Sequence, residues 1–271
     1  DTTLAQVAAE CLGCELDDIV VFGADTDISP YDSGSYASST AYLTGTAVVK
    51  TCEALKEKIL HKAAKYLETG VEELEFDGKR VYKPACGEDG TKKEISIKDL
   101  ANRVQCANED ALQVTQSHSS PISPPPFMAG AAEVEVDLET GQVELIKFAA
   151  AVDCGTPLNE NLARVQTEGG LVQGIGMALY EDVSYSKDGK VHENSFMQYK
   201  VPSRLDVGRV QVEFESSFEP TGPFGAKSIG EVVINTPSPA IANETLHLVG
   251  VRILWVPITA EKVFKGMNGL D

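Results

Sequence analysis

The chain has 271 residues, which is enough for one large domain or two modest ones, each with a core of its own. Apolar residues make up 42% of the sequence and charged residues 24%, a balance that excludes a disordered chain, and no apolar run reaches the ~20 residues of a membrane-spanning helix. The formal net charge is −18, so nucleic acid and anionic membranes are disfavoured as partners, because both carry negative charge.

Six cysteines are scattered along the chain, a density too low for a disulfide framework and more typical of a reducing cytoplasm. Cys11 and Cys14 form a C-x-x-C pair with no second pair or histidine at zinc spacing, and we interpret them as ordinary structural thiols. The four histidines are also far apart in the sequence, so we predict no metal ion held by protein side chains.

Apolar periodicity, turn residues and capping residues predict five elements in the first part of the chain. They are a helix over Thr2–Leu12, a strand over Asp18–Phe22, a long helix over Val48–Leu67 closed by Gly70, a hairpin over Leu74–Tyr82 that turns at Asp77-Gly78, and a helix from a capping box at Ser96 through Val104. The segment Ser117–Pro126 is rich in serine and proline and predicts a connector, because prolines cannot donate ladder hydrogen bonds.

Five more elements are predicted after the connector. They are a hairpin of Ala132–Asp137 and Val143–Val152 that turns at Thr140-Gly141, a glycine-rich helix over Glu160–Tyr180, a second hairpin that turns at Asp188-Gly189, a strand over Val210–Phe218 and a helix over Ser238–Leu248. Strands and helices alternate without a simple βαβ repeat. The sequence therefore predicts an α+β fold of two subdomains, residues 1–117 and 118–271, each with mixed sheets packed against helices.

The most unusual stretch of the sequence is Glu219–Glu231, in which three glycines and two prolines surround Lys227 and lead to the closing glutamate. Such a composition suits a tight loop whose backbone N–H groups approach a ligand and which holds a carboxylate at a fixed point. By composition alone, a structural turn with a solvated glutamate is an equally good interpretation.

The run Gly222-Pro223-Phe224-Gly225-Ala226-Lys227-Ser228-Ile229-Gly230-Glu231 closely resembles the active-site loop of the molybdenum hydroxylases, the family of xanthine dehydrogenase and aldehyde oxidase. In that family the closing glutamate of the loop is the base beside molybdenum. The resemblance therefore implies that Glu231 is catalytic. It also implies cofactor contacts for the four preceding residues, Lys227, Ser228, Ile229 and Gly230.

A second segment, Asp25–Gly45, resembles the family loop that wraps the pterin and the pyrophosphate of the cofactor. This resemblance implies cofactor contacts for Tyr36, Ala37, Ser38, Ser39 and Thr40. Hydroxyls and backbone amides of a loop that leads into a helix N-terminus suit phosphate oxygens without a lysine. Taken alone, such a loop would more often be a plain helix cap.

A third match combines Val152-Asp153-Cys154-Gly155, Asn159 and the segment Gln166–Gly176. Its last segment is similar to a family helix whose leading glutamine hydrogen-bonds an oxygen-type group on or near molybdenum. The resemblance therefore implies both a catalytic and a cofactor-binding role for Gln166. Without it, a glutamine on a glycine-rich helix would be interpreted as a buried polar group of the core. The three segments occur in the family's order, and the resemblance covers nearly the whole chain.

The resemblance implies a cytoplasmic oxidoreductase that hydroxylates a carbon of an N-heterocycle or an aldehyde with oxygen from water. The cofactor would be molybdopterin with molybdenum, in the cytosine dinucleotide form, and iron–sulfur and FAD groups would lie on partner chains. The family's upstream glycine-rich segments are absent from this sequence. We therefore expect the N-terminal part of the molybdenum subunit to complete the cofactor cage and to be needed for activity.

Two other functions stay open at this point. One is a non-catalytic scaffold, an isolated or degenerate domain of such a complex. The other is a hydrolase with paired carboxylates such as Glu168 and Glu231, which would need those groups roughly 5–9 Å apart across an open cleft.

Overall fold

The computed structural model describes residues 1–84 and 92–270, so Cys86 lies outside the described residues. The chain divides into two compact units, Asp1–Ser123 with Pro220–Phe224, and Pro124–Glu219 with Gly225–Asp271. These units differ from the predicted segments 1–117 and 118–271 in two places. The first boundary falls six residues later, within the serine- and proline-rich connector, and a short piece of the glycine-rich loop joins the first unit.

The first unit contains three helices and one small sheet within the described residues. The helices are α1 (Thr2–Leu12), α2 (Thr40–Leu67) and α3 (Ile97–Cys106), and the strands are β1 (Glu75–Phe76), β2 (Arg80–Tyr82) and β3 (Glu94–Ser96). The strands are antiparallel in the order β1-β2-β3. The predicted helices, the capping box at Ser96 and the hairpin at Asp77-Gly78 are all confirmed.

The long helix α2 ends at Leu67, as predicted, but a different residue closes it. Glu68, and not Gly70, adopts the left-handed conformation, with its N–H bonded to the carbonyl of Ala64. The helix also begins eight residues before Val48, at Thr40. Its inner face buries Ile59 and Ala63 in the core of this unit, together with Leu74, Val81, Ile95, Leu100 and Val104.

The predicted strand over Asp18–Phe22 is wrong. A short 3-10 turn covers Leu16–Asp18, and Ile19 is extended, but residues 19–22 form no ladder with any strand of the described residues. Val20 is 88% exposed and Phe22 is 70% exposed. A strand needs a neighbour that accepts and donates its backbone hydrogen bonds, and the apolar pattern alone cannot supply one.

Cys11 and Cys52 lie where α1 packs on α2. The thiols of Cys11 and Cys52 share a hydrogen bond, and burial raises the pKa of Cys52 to about 11. Burial also raises the pKa of Cys11 and of Cys14. Thiols with raised pKa values are poor nucleophiles, which agrees with a structural role for this C-x-x-C pair.

The second unit is built on a mixed sheet. Its elements are β4 (Phe127–Val136), β5 (Val143–Asp153), α4 (Glu160–Leu179), β6 (Arg209–Phe214), α5 (Pro237–Val249) and α6 (Ala260–Met267). The order is β4-β5-β6, with β5 antiparallel to β4 and parallel to β6. The first predicted hairpin, the glycine-rich helix and α5 are confirmed, and with the other unit they make the α+β fold that the sequence predicts.

Three features of this unit differ from the prediction. On either side of the turn at Asp188-Gly189, the predicted hairpin is reduced to one isolated β-bridge between Tyr185 and Val191. Strand β6 stops at Phe214, four residues early. Helix α6 was missed, although Thr259 caps it by accepting a hydrogen bond from the N–H of Lys262. The core lies between the sheet and the helices and includes Phe148, Leu171, Ile175, Val212, Val233 and Ile241.

Among residues 1–84 and 92–270, no helix has an apolar stretch long enough to cross a membrane.

Glu109 connects the end of α3 to α2 through three hydrogen bonds. Its carboxylate accepts from Lys62 at 2.8 Å, Lys65 at 2.6 Å and Tyr66 at 3.0 Å. These bonds lower the pKa of Glu109 from 4.5 to about 2, and the bond from Lys62 has the largest effect. The carboxylate therefore stabilises the fold in its ionised form.

We expect Glu109→Gln to lower the thermal unfolding midpoint at neutral pH, and the difference from wild type to shrink on acidification. Because the folded pKa is depressed, the stabilisation is fully present above the ordinary pKa of 4.5 and is lost as the pH falls towards about 2. Melting curves of both proteins across this range test the prediction. Glu57→Gln, on α2, is the control and should change little, because Glu57 is exposed and its contact with His61 is long, at 3.8 Å. A difference that stays constant with pH would contradict the account.

Candidate active site

Helix α2 begins with an N-terminus that no side chain caps. Ser39 occupies the capping position, but its hydroxyl donates to the carbonyl of Tyr36 at 2.7 Å instead of accepting from the helix. The first N–H groups of a helix have no partner within the helix, and together with the helix dipole they favour an anion. The sequence carries no lysine or arginine before Lys50. Within the preceding sequence, amides and hydroxyls are therefore the groups that can attract an anion to this end of α2.

The loop before α2 has a strained backbone. Ala37 and Ser38 adopt positive φ angles of 50° and 55°, a region that residues other than glycine rarely enter. Two turn hydrogen bonds, from the N–H of Ser38 to Ser35 and from the N–H of Ser39 to Tyr36, hold this geometry. Strain of this kind clusters at ligand sites. The predicted contact residues Tyr36–Thr40 thus lie together in one tight loop, where Tyr36 is 74% exposed.

Upstream, this loop is shaped by two aspartates. Asp25 accepts a hydrogen bond from the N–H of Asp27 at 2.9 Å, and Asp32 accepts one from the N–H of Gly34 at 2.7 Å. Such local turns use carboxylates to fix the backbone. These aspartates are therefore turn-forming residues in this structure.

The glycine-rich loop before Glu231 begins in the first unit. Thr221 hydrogen-bonds the hydroxyl of Tyr42 at 2.8 Å, and Pro223 packs on Gly45 of α2, where an added Cβ would lie 2.9 Å from its ring. Phe224 then adopts a left-handed conformation with a φ of 52°. Gly45 leaves the space that lets this part of the loop approach the helix.

The next part of the loop is fastened to the end of β5 in the second unit. Ala226 forms a bridge with Gly155, the N–H of Lys227 donates to the carbonyl of Cys154 at 2.8 Å, and the N–H of Thr156 donates to the carbonyl of Gly225 at 2.8 Å. Gly155 has a φ of 70°, and a Cβ there would lie 2.3 Å from the carbonyl oxygen of Gly225. Glycine is required at this position because the two backbones are in direct contact.

The side chain of Lys227 points to Asp153. Its ammonium group lies 2.8 Å from the carboxylate, and the two side chains are only 11% and 20% exposed. Asp153 also accepts hydrogen bonds from Ser217 at 2.6 Å and from the N–H of Gly155 at 2.9 Å. Burial raises the pKa of Asp153, but the bonds from Lys227, Ser217 and Gly155 outweigh it, and the net pKa is below the ordinary value.

Glu231 ends the loop with an exposed side chain. The following 3-10 turn, Val232–Ile234, packs on α4 through Val233, which is fully buried. A Cβ at Gly170 of α4 would lie 2.2 Å from a methyl group of Val233. The backbone of Glu231 is thus next to a buried anchor, while its side chain is exposed.

Gln166 lies on α4, one helical turn before Gly170. Residues four apart occupy the same face of a helix, so Gln166 is on the side of α4 that receives the Val232–Ile234 turn. Its side chain is exposed and is therefore not a buried core group in this chain. The structure brings Gln166 and the Glu231 loop to one face of α4.

Sequence reasoning missed the partners of Lys227. Asp153 stands in the matched segment before Gly155, yet its role was not predicted, and Ser217 gave no pattern that could have revealed it. An acidic residue at the end of a buried strand was the available indication, because such a carboxylate needs a partner. Among residues 1–84 and 92–270, no group of three or more His, Cys, Asp or Glu side chains could hold a metal ion.

The donor set of this chain fits an anionic cofactor. An uncapped helix N-terminus with serine and threonine hydroxyls suits a pyrophosphate, and the exposed Gln166 and Glu231 supply a polar pair on one face of α4. Fold and site together define an α+β cofactor-binding domain.

Comparison with known proteins identifies the class. A family model described as molybdopterin cofactor-binding domain matches residues 1–208. The chain is 33% identical over 270 residues to "Probable hypoxanthine oxidase XdhD" of Escherichia coli K12, covering 99% of this chain and 28% of that protein. It is 31% identical over 281 residues to the gamma subunit of the 6-hydroxypseudooxynicotine dehydrogenase complex of Paenarthrobacter nicotinovorans, covering 100% of this chain and 35% of that protein.

A solved structure shows the same fold. The Cu,Mo-CO dehydrogenase structure in its carbon monoxide reduced state superposes with a TM-score of 0.85 at 28% identity, over 99% of this chain and 34% of that one. The chain belongs to the molybdopterin cofactor-binding domain family of the molybdenum oxidoreductases, which confirms the resemblance found in the sequence. It spans about a third of the length of these relatives.

Two neighbouring glycines of α4 give opposite predictions. Gly169→Ala should raise the free energy of unfolding by about 0.5–1 kcal/mol, because nothing lies within 4 Å of the added Cβ and alanine favours a helix. Gly170→Ala should lower it by up to about 2 kcal/mol, because overpacking against the buried Val233 exceeds the same gain. Denaturant unfolding of both variants tests this, and two equal changes would show that Gly170 does not set the approach of the Val232–Ile234 turn.

Proposed function

We propose that this chain is the part of a molybdenum hydroxylase subunit that holds molybdopterin and supplies Glu231 as the catalytic base. The observation that carries the proposal is the doubly anchored loop, which places an exposed glutamate on the face of α4 that also bears Gln166. Family membership supports the cofactor class. When bound, the molybdenum cofactor supplies the two-electron redox chemistry.

The residues of this chain then have distinct tasks. Ser38, Ser39, Thr40 and the N-terminus of α2 bind the phosphate groups of the cofactor, with Tyr36 and Ala37 shaping that loop. Ser228, Ile229 and Gly230 bring the loop backbone to the pterin, and Gln166 donates a hydrogen bond near the reacting centre. Glu231 accepts the proton of the water that becomes the new oxygen atom of the substrate.

We infer that the substrate is an electron-poor carbon in an N-heterocycle or an aldehyde. An N-heterocycle is supported by a relative named for hypoxanthine, which is itself an N-heterocycle. Since another relative acts as a subunit of a dehydrogenase complex, we propose an assembly with iron–sulfur and FAD chains that accept the electrons. We also propose that the cofactor is the cytosine dinucleotide form, that the assembly is cytoplasmic, and that it needs the N-terminal part of the molybdenum subunit.

In the complete enzyme, Glu231→Gln should leave the molybdenum content unchanged and reduce turnover by about 10²–10⁴-fold, because the amide cannot accept the proton. Elemental analysis and steady-state kinetics on the same preparation test this. Glu215→Gln, an exposed glutamate after β6, is the control and should retain normal turnover. Near-normal turnover in Glu231→Gln would remove the base role.

The same preparation separates the other two functions. A complete assembly without molybdenum would favour the scaffold. Equal losses of activity in Glu168→Gln and Glu231→Gln, again without molybdenum, would favour the paired-carboxylate hydrolase.

Ser39→Asp should affect stability and cofactor binding in opposite directions. A carboxylate at the N-terminus of α2 interacts favourably with the helix dipole, by about 0.3–1 kcal/mol, but it repels the phosphate groups of the cofactor. We expect a thermal midpoint equal to or above wild type and a reduced content of molybdenum and pterin. Ser39→Asn, which is uncharged and similar in size, should keep the cofactor. Equal cofactor contents in both variants would place the phosphates elsewhere.

A further inference from the structure

We propose that Lys227 is a positioning residue for Glu231, and that its ion pair with Asp153 fixes the N-terminal end of the loop that carries the glutamate. This inference rests on the proposed base role of Glu231. It replaces the direct cofactor contact that the sequence resemblance implied for the Lys227 side chain.

The ammonium group of Lys227 already has two partners within the second unit. It lies 2.8 Å from the carboxylate of Asp153 and 5.4 Å from the centroid of the Phe127 ring, at the start of β4. With 11% of its side chain exposed, little of the lysine remains available to a ligand. A cation held between a carboxylate and an aromatic face gains from both.

Asp153 is in turn held by the sheet. Its carboxylate accepts from Ser217 and from the N–H of Gly155, so it forms three hydrogen bonds at the end of β5. The N–H of Lys227 also donates to the carbonyl of Cys154. Both the backbone and the side chain of Lys227 are therefore attached to the same strand end.

The other end of the loop is attached by packing. Val233 is buried against Gly170, and Ile229 packs on the core of this unit. Only five residues separate Lys227 from Val233, and Glu231 lies between the two anchors. Because a short segment fixed at both ends has few conformations, the two anchors together set the direction of the Glu231 carboxylate.

Loss of the ammonium group would leave Asp153 with no cation. A poorly exposed carboxylate without its partner is costly, and the loop would move to hydrate it. Lys227→Met keeps the length and apolar stem of the side chain but removes the charge. Lys227→Arg keeps the charge, so it should rescue the function if the ion pair is what matters.

The first experiment needs no cofactor. Hydrogen exchange measured by mass spectrometry on the full chain should show about tenfold faster exchange at residues 225–231 in Lys227→Met and near-wild-type exchange in Lys227→Arg. The matched control is Lys190→Met, which removes another lysine–aspartate pair of the same unit, one whose side chains are 82% and 66% exposed. It should leave this segment unchanged. Exchange in Lys227→Met equal to that of wild type would overturn the proposal.

The second experiment uses the complete enzyme and a double-mutant comparison. Lys227→Met should lower kcat about 10- to 100-fold, with molybdenum content and KM nearly unchanged, since the base is displaced rather than removed. In the Glu231→Gln background, Lys227→Met should lower kcat little further, because there is no base left to position. Two results would overturn the positioning role and favour a cofactor contact. One is a kcat in the double variant that falls below that of Glu231→Gln by the same factor as in Lys227→Met alone, and the other is a loss of molybdenum in Lys227→Met.

The two proposals fail in different ways. Normal turnover in Glu231→Gln would remove the base role, yet it would leave the exchange result untouched. Hydrogen exchange at residues 225–231 that is as slow in Lys227→Met as in wild type would remove the positioning role, but it would leave the base role of Glu231 unaffected.

Discussion

The geometry of the candidate site depends on one constraint, the attachment of a short loop at both of its ends. At one end the Lys227–Asp153 ion pair attaches the loop to the C-terminal end of β5, and at the other end Val233 fills the space left by Gly170 on α4. One anchor is electrostatic and the other is steric. Because neither involves Glu231 itself, the glutamate stays exposed on a stretch of backbone whose position is fixed by its neighbours.

The glycines of the chain serve this arrangement by allowing close contact. Gly155 lets the loop backbone lie against the end of β5, Gly170 admits Val233, and Gly45 admits Pro223. Each is a position where a Cβ would meet another atom at 2.9 Å or less. A glycine-rich helix and loop are thus required by packing as much as by any ligand, which is why composition alone could not distinguish a site from a structural turn.

Charge is distributed in a comparable way. The N-terminus of α2, where we propose that the cofactor phosphates bind, has no basic residue before it in the sequence, and it would attract an anion through amides, hydroxyls and the helix dipole. The ammonium group of Lys227, in the glycine-rich loop, forms an ion pair with Asp153 of the same unit. The net charge of −18 therefore does not conflict with a cofactor that carries phosphates, because the attraction is local and directional.

Local patterns predicted most of the fold. The periodicity of α2, the capping box at Ser96 and the alternation in β4 and β5 are properties of neighbouring residues, and the structure confirms them. The failures need distant information. Residues Asp18–Phe22 have the pattern of a strand but no partner strand, and the parallel pairing of β6 with β5 joins residues about 60 apart.

The same division applies to the site. Motif resemblance predicts roles for the residues from Tyr36 to Thr40, Gln166 and Glu231, but it could not show that the ammonium group of Lys227 is turned to Asp153. The ammonium group lies against Asp153, which is 74 residues away in the sequence, and over the ring of Phe127, which is farther still. A motif identifies which residues a family keeps near its cofactor, whereas three-dimensional contacts show what each side chain does.

A structure of the complete enzyme at a resolution that places metal and side chains would test the central claim most directly. The measured quantity is the separation between the Glu231 carboxylate and the bound molybdenum. The account predicts that the carboxylate faces the metal within reach of one water molecule, with the cofactor phosphates at the N-terminus of α2. A molybdenum site elsewhere, with Glu231 directed to bulk solvent, would contradict it.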